Sequence, residues 1–449
     1  MSDQIESLGI RKLLVLPGYA LFFLMLTYPM VLSVLYVKAV LFGIVLTIIG
    51  IVSMLDANWR LNHEVALWTL LLAGVSFFFV LRGYFLGTPG ATKAAEVYVL
   101  WPLVYLVLVA GASRPNILVG LHRVLVLATI FIGVQGGIYL LSHLNILPEN
   151  RYSDLLSLGF EAQAIGSREG YIGMQFPGLN SLPFLIPFTF AALATPALPG
   201  SHEPVRKIWL WLAYCLGLLM MLTSGRRALI LVTLSAPAFI WLFIRFKPVK
   251  EKILARSSLT RLVIVLAVGL VVFLAGLSLF DQFEISGLIG RVSQGFEFGA
   301  GTVDEGGAAR HEQYFALLRG WYQNPLLGAG HGASVYGSIR SEERPWAYEL
   351  SYMALLFQCG LLGFAAYAAG VVWIYWKGIG TIRDGGRVGQ SIFPLMVGMT
   401  CYLIANATNP YLSRFDGIWA IFLPLAFINY ALVTRNEGVQ FTSKYSSAA

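Results

Sequence analysis

The sequence predicts an all-α integral membrane protein, a class indicated by its apolar content, by the length of its apolar runs and by the scarcity of charge within them. Hydrophobic residues fill 57% of the 449 positions and charged residues only 12%, and the mean hydropathy is +0.72. A soluble domain does not have this balance. Apolar windows of about 17 to 25 residues, enough to cross ~30 Å of hydrocarbon as helix, recur along almost the whole chain. They are continuous and lack the two-residue alternation of barrel strands, which excludes a closed β-barrel.

In chain order the runs predict about twelve transmembrane helices, at 13–35, 37–55, 65–84, 96–112, 117–141, 181–197, 207–223, 227–245, 260–280, 349–374, 391–407 and 416–433. The first two divide only around Tyr36 to Lys38, because Leu13 to Leu55 is otherwise almost uninterrupted. Arg60 separates the second from the third, Arg114 the fourth from the fifth, and Arg206 and Lys207 the sixth from the seventh. The dense run Arg245, Lys247, Lys250, Lys252, Arg256 and Arg261 leads from the eighth into the ninth, and Lys377, Arg383 and Arg387 lie between the tenth and eleventh. With Arg11 and Lys12 at one end and Arg435 and Lys444 at the other, these basic loops share one side. The positive-inside rule makes that side cytoplasmic, with both termini there.

The chain is thus read as one polytopic membrane domain over 1–449. Its polar opening, Met1 to Ile10, does not resemble a cleavable signal. The formal charge of +8 fits orienting loops, and no nucleic-acid partner is expected. Cys215, Cys359 and Cys401 are far apart within apolar segments and read as buried small side chains without disulfide or zinc spacing.

Two long segments fall on the outer face in this topology, a first outer loop at 142–180 and a larger one at 281–348 between helices nine and ten. Loops beyond about 12–15 residues usually have a function. Within the larger loop, Tyr314, Leu317, Leu318 and Trp321 recur at helical spacing and predict an amphipathic helix. "PLLGAGHGAS" at 325–334 lacks the Lys-Ser or Lys-Thr of a phosphate loop and reads as a tight turn. Asp304, Glu305, Glu312, Glu342 and Glu343 match no calcium-loop spacing, so no metal is expected.

"TSGRRALIL" places Arg226 and Arg227 at an outward turn, where the charge rule disfavours them. They snorkel to the interface, or they form an anion site at the start of the eighth helix, where free N–H groups and the dipole add to guanidinium binding of phosphate. A phosphate carried by a lipid is the anion that meets this depth. "PWAYELSYMALLFQCGLLGFAAY" at 345–367 begins a helix at Glu349, with Tyr352, Leu356, Gly360 and Gly363 following on one helical face. Glu349 reads either as an ordinary acid at a helix N-terminus or as a base for a sugar hydroxyl. Trp321, Tyr322, Trp346 and Tyr348 are candidates to stack on sugar rings. Arg414 and Asp416 either pair with each other or line the sugar groove.

Four stretches resemble the O-antigen polymerase and ligase superfamily of polytopic bacterial glycosyltransferases. They are "FPGLNSLPFLIPFTFAALA" at 176–194, "TSGRRALIL", "ARHEQYFALLRGWYQNPLLGAGHGA" and "ELSYMALLFQCGLLG". The resemblance implies transfer of a glycan from polyprenyl pyrophosphate at the periplasmic face of the inner membrane, inverting and metal-independent, with no cofactor. It implies pyrophosphate binding by Arg226, Arg227 and Arg310, catalysis by Glu349, and an acceptor groove containing Tyr352, Trp346 and Arg414. The ligases have histidine where this chain has Glu349, so the polymerase branch is favoured over a ligase acting on lipid A–core or protein. A flippase is disfavoured because the polar residues crowd the outer mouth and not the midplane. The expected partners are the polyprenyl-pyrophosphate-linked oligosaccharide, membrane lipid and a chain-length regulator protein.

Overall fold

The structure, a computed structural model, describes residues 8–29, 31–55, 60–143, 146–147, 165–168, 171–195, 205–277, 305–336 and 342–446. Most of the first outer loop, and residues 281–304 (Asp304 among them) and 337–341 of the second, therefore lie outside the described residues. The helices are α1 (Leu8–Thr27), α2 (Leu32–Leu55), α3 (His63–Phe85), α4 (Ala91–Ala112), α5 (Pro115–His143), α6 (Leu182–Ala194), α7 (Lys207–Thr223), α8 (Arg227–Ile244), α9 (Val249–Leu277), α10 (Glu305–Gln323), α11 (Ser351–Asp384), α12 (Gly386–Asn406) and α13 (Trp419–Ser446). A short antiparallel hairpin pairs β1 (Ile165–Arg168) with β2 (Tyr171–Met174).

Each apolar run in the sequence is helical over most of its length, and α10 falls outside those runs. Among the described residues seven helices are long and apolar enough to cross a membrane, which makes the chain a multi-pass helical membrane protein. Others are shorter. α6 has 13 residues and rises only about 20 Å.

The break between α1 and α2 falls at Tyr28–Val31 and not at Tyr36–Lys38. Pro29 lacks the amide that a continuing helix needs. The charge that marked the other position is no loop residue: Lys38 is 1% exposed, and its Nζ donates to the Tyr28 carbonyl at 2.7 Å.

The chain divides into two compact units. The first comprises Met1–Ala57, Arg114–Phe298 and Ile382–Tyr402. Its centre is α6, in which twelve residues from Leu182 to Ala194 are buried, as expected of a helix that is apolar on every side. It packs against α5, α7, α8 and α9. Gly133 on α5 seats Leu216, and Gly217 on α7 seats Ile186, so small residues let these helices approach closely. Cys401 is buried, but Cys215 is exposed, contrary to the sequence reading. It continues a stripe with exposed Ile208 and Leu212 at helical spacing, and a thiol is apolar enough for a lipid-facing position.

The second unit comprises Asn58–Ser113, Gly299–Thr381 and Leu403–Ala449. Here α3 and α13 pack on α4. Buried Asn429 is fully occupied, accepting from the Asn62 amide at 2.8 Å and donating to the Arg60 carbonyl at 2.8 Å and Ser113 Oγ at 2.5 Å. α11 is kinked at Gly360, whose φ is 61° and ψ −170°. The expected single face through Tyr352, Leu356, Gly360 and Gly363 therefore does not continue past the kink. The backbone groups freed there are satisfied by the 325–330 segment. Leu361 and Leu362 donate to Pro325 and Leu326, and Ala329 and Gly330 donate to Phe357 and Gln358, at 2.8 to 3.1 Å. Irregular backbone in an apolar helix persists where protein supplies the partners.

Candidate functional site

In the first unit, α7 ends at Thr223 and α8 begins at Arg227. Gly225, with φ 61°, takes the left-handed conformation that the turn requires. Arg226 is the N-cap of α8, with extended backbone, and is half-buried. Its Nη1 donates to Asn180 Oδ1 at 2.7 Å. Asn180 closes the short 3-10 turn Pro177–Asn180 that leads into α6, and the adjacent Ser181 is anchored by its hydroxyl to the Leu26 carbonyl at 2.7 Å. The asparagine is thus on a fixed mount and orients one edge of the guanidinium. Arg227 is the first residue of α8 and half-buried. Two guanidiniums at one helix N-terminus make an arrangement suited to an anion, by charge, dipole and directed donors. Asn180 was not among the predicted site residues, although its stretch was among those that showed the resemblance.

In the second unit, α10 and the start of α11 build the other cluster. One side of α10 carries Arg310, Gln313 and Leu317, three and then four positions apart, which places them on one face. Leu317 is fully buried with Ala333, Tyr348 and Phe357. That apolar contact holds the helix in place while its first turns meet the residues before α11. Arg310 Nε donates to Glu349 Oε2 at 2.6 Å. Gln313 Oε1 accepts from the amides of Glu349 and Leu350 at 2.9 and 3.0 Å. Glu349 lies two residues before α11 rather than beginning it, and Gln313 from another helix satisfies its amide. The pair is partly exposed, with Arg310 at 36% and Glu349 at 20%. A carboxylate beside a fixed guanidinium, open to solvent, has the parts of a general base next to an anion-stabilising group.

The other predicted residues are distributed within the second unit. Tyr352 sits in the first turn of α11 and donates to the Leu403 carbonyl at 2.6 Å. Trp346 is half-buried, and its indole ring covers Gly90, where a Cβ would meet the ring at 2.4 Å. Arg414 follows the 3-10 turn Tyr411–Ser413 and is half-buried, whereas Asp416 is buried. Of the aromatic residues offered for sugar stacking, Tyr322 is exposed. Tyr348 is not available, because it belongs to the buried cluster and its oxygen accepts from the Val335 amide at 2.6 Å.

The "GAGHG" segment is a turn, as expected, but a buried one. Gly328, Gly330 and Gly332 all have positive φ, and a Cβ on Gly332 would meet the Gly90 backbone at 2.1 Å. His331 is fully buried. Its Nε2 is 2.9 Å from Tyr367 Oη and its Nδ1 3.3 Å from Gln358 Oε1. Its ring stacks on Tyr98 at 4.5 Å. Burial pushes its imidazole down to about 4, against the opposing hydrogen bond from Gln358. A neutral, enclosed histidine of this kind is a structural group. Among the described residues no cluster of three metal-ligating side chains occurs.

Comparison of the whole chain with protein-family models and with curated proteins finds no match to either.

Proposed function

We propose that this chain is an O-antigen polymerase, an inverting glycosyltransferase of the bacterial inner membrane with twelve spans, both termini in the cytoplasm and its reaction at the periplasmic face. The observation that carries the reading is the hydrogen-bonded pair of Arg310 and Glu349, two residues that the family resemblance had already singled out separately. The arginine with a directed partner at the N-terminus of α8, Arg226 on Asn180, supports it.

In this reading the acceptor is the non-reducing end of a lipid-linked repeat unit, and the donor is the growing glycan on polyprenyl pyrophosphate. The acceptor hydroxyl oxygen forms a bond to the anomeric carbon as that carbon's bond to the pyrophosphate oxygen breaks. The hydroxyl proton passes to Glu349, and the electron pair leaves with the pyrophosphate. Arginine stabilises that negative charge, the role magnesium has in other glycosyl and phosphoryl transfers, and the resemblance assigns this role to Arg226, Arg227 and Arg310. One displacement without a covalent intermediate inverts the anomeric centre. Tyr352, Trp346 and Arg414 border the acceptor.

The test is the lipopolysaccharide ladder of a deletion strain complemented with wild type or Glu349→Gln at matched membrane levels. The polymerase reading expects core bearing a single repeat in the deletion strain and in the variant, with a full ladder only in wild type. Bare core in the deletion strain would instead indicate a ligase or a flippase.

A further inference from the structure

A second basic site lies in the first unit, in the turns at the far ends of α8 and α11. The turn at 245–248 joins α8 to α9, and Gly385 joins α11 to α12. These turns touch. A Cβ on Gly385 would lie 2.8 Å from Pro248 Cγ and 3.2 Å from Glu251 Oε1, and Gly385 has φ 71°. Beside them is a cavity of about 400 Å³ whose walls include Arg245, Lys247, Lys252 and Arg383. A volume of that order accommodates a small ligand or a headgroup.

Lys247 distinguishes this cavity from an ordinary basic loop. Its side chain is 1% exposed, and its Nζ has no hydrogen-bond partner among the described residues. The ammonium lies over the Phe393 ring at 4.3 Å, and a Glu251 oxygen is 3.9 Å away, too far for a hydrogen bond. Burial pushes the group down to about 8, with Glu251 acting in the opposite direction. Four cations stand here against Glu251 and Asp384, so the site keeps a net positive charge. A buried ammonium without an acceptor is costly and is usually kept for a ligand that completes it.

The surroundings indicate the source of the anion. Trp241, Leu242, Val249, Ile253 and Leu254 on the flanking helices are exposed apolar side chains. Arg245 lies over the Trp241 ring at 3.7 Å, the pairing of basic and aromatic groups found at a membrane interface. A soluble phosphate has no use for that apolar rim, whereas acyl chains do. We propose that the cavity formed by the 245–248 turn and Arg383 binds the phosphate of an acidic phospholipid, with its acyl chains along α8 and α9.

Native mass spectrometry of the purified full chain, titrated with phosphatidylglycerol or phosphatidylcholine, tests this. Wild type is expected to hold phosphatidylglycerol about tenfold or more tighter than phosphatidylcholine, from charge-assisted hydrogen bonds to phosphate. Lys247→Met and Arg383→Gln should each remove about a factor of ten. Lys247→Met replaces a buried charge that has no hydrogen-bond acceptor among the described residues by an apolar side chain of similar length and should fold; exposed Arg383 provides a second variant independent of burial. Arg256→Gln, exposed and outside the cavity walls, should leave the affinity unchanged. Equal affinity for the two lipids, or a loss with Arg256→Gln as large as with Lys247→Met, would overturn the proposal in favour of diffuse charge. Displacement by millimolar inorganic phosphate would overturn the lipid assignment.

Discussion

The guanidinium of Arg226 is held by the side-chain oxygen of Asn180 at 2.7 Å, across 46 positions of sequence. This fixes one edge of the arginine and sets its direction. Asn180→Ala should therefore cost about 1.5–3 kcal/mol of positioning, the worth of a hydrogen bond to a charged group. The ladder should fade while the protein level in membranes stays near wild type, and Asn180→Asp should retain the contact as an ion pair. An undiminished ladder in Asn180→Ala would show that Arg226 needs no orientation.

Glu349→Gln keeps an oxygen that can accept from Arg310 but loses proton acceptance. The expected result is a fall of about 10²-fold or more in repeat-unit incorporation by membrane vesicles, with an unaltered melting temperature. Arg310→Lys should also reduce the rate, because lysine is a point charge without the planar fork. A normal rate in Glu349→Gln removes the carboxylate from the reaction.

Gln313 accepts two amides at the entrance to α11. Gln313→Ala leaves both without that acceptor and should lower stability by about 1–2 kcal/mol, in the range of a lost helix cap. Gln313→Glu keeps an acceptor oxygen and should melt near wild type. Thermal melts of the solubilised protein distinguish the two.

Gly360 has a left-handed φ of 61°, and a Cβ there would sit 2.3 Å from the Leu326 carbonyl oxygen. Gly360→Ala meets both conformational strain, about 1–2 kcal/mol, and a backbone clash, so a loss of thermal stability or of folded yield is expected. Gly380→Ala, further along the same helix with nothing within 4 Å of the added carbon, should stabilise by about 0.5–1 kcal/mol. If both variants melt alike, the kink is not a fixed feature.

His331 stays neutral in the fold down to about 4, against an ordinary value of 6.5. The unfolded chain therefore binds the extra proton first as pH falls. Stability from this group is fully present above about 6.5 and declines toward pH 4, by about 3 kcal/mol in all. Melting temperatures across that window should drop in wild type, and the part due to His331 should vanish in His331→Gln.

Hydropathy alone disclosed the helices, because an uninterrupted apolar run in a membrane has one backbone solution. The α10 helix was legible from the spacing of Tyr314, Leu317, Leu318 and Trp321, of which Leu317 is the fully buried one. What the sequence did not show depends on partners distant along the chain. The contacts of Asn180 with Arg226, and of Gln313 with the two amides just before α11, join positions whose local patterns contain no trace of each other. Lys38 misled for a related reason. A lysine in an apolar run ordinarily marks a loop, and only its hydrogen bond to the Tyr28 carbonyl beside Pro29 shows why this one does not.

That lysine also bears on how the protein enters the bilayer. Lys38 lies six residues into α2, about 9 Å along the helix, and its partner carbonyl at Tyr28 belongs to the end of the preceding helix. Inserted alone, α2 would carry that ammonium without the Tyr28 carbonyl that accepts from it. Inserted together with α1, it has that acceptor from the outset. The first two helices thus form one hairpin for the insertion machinery, and a chain severed between them would lose the acceptor that accompanies Lys38 into the membrane.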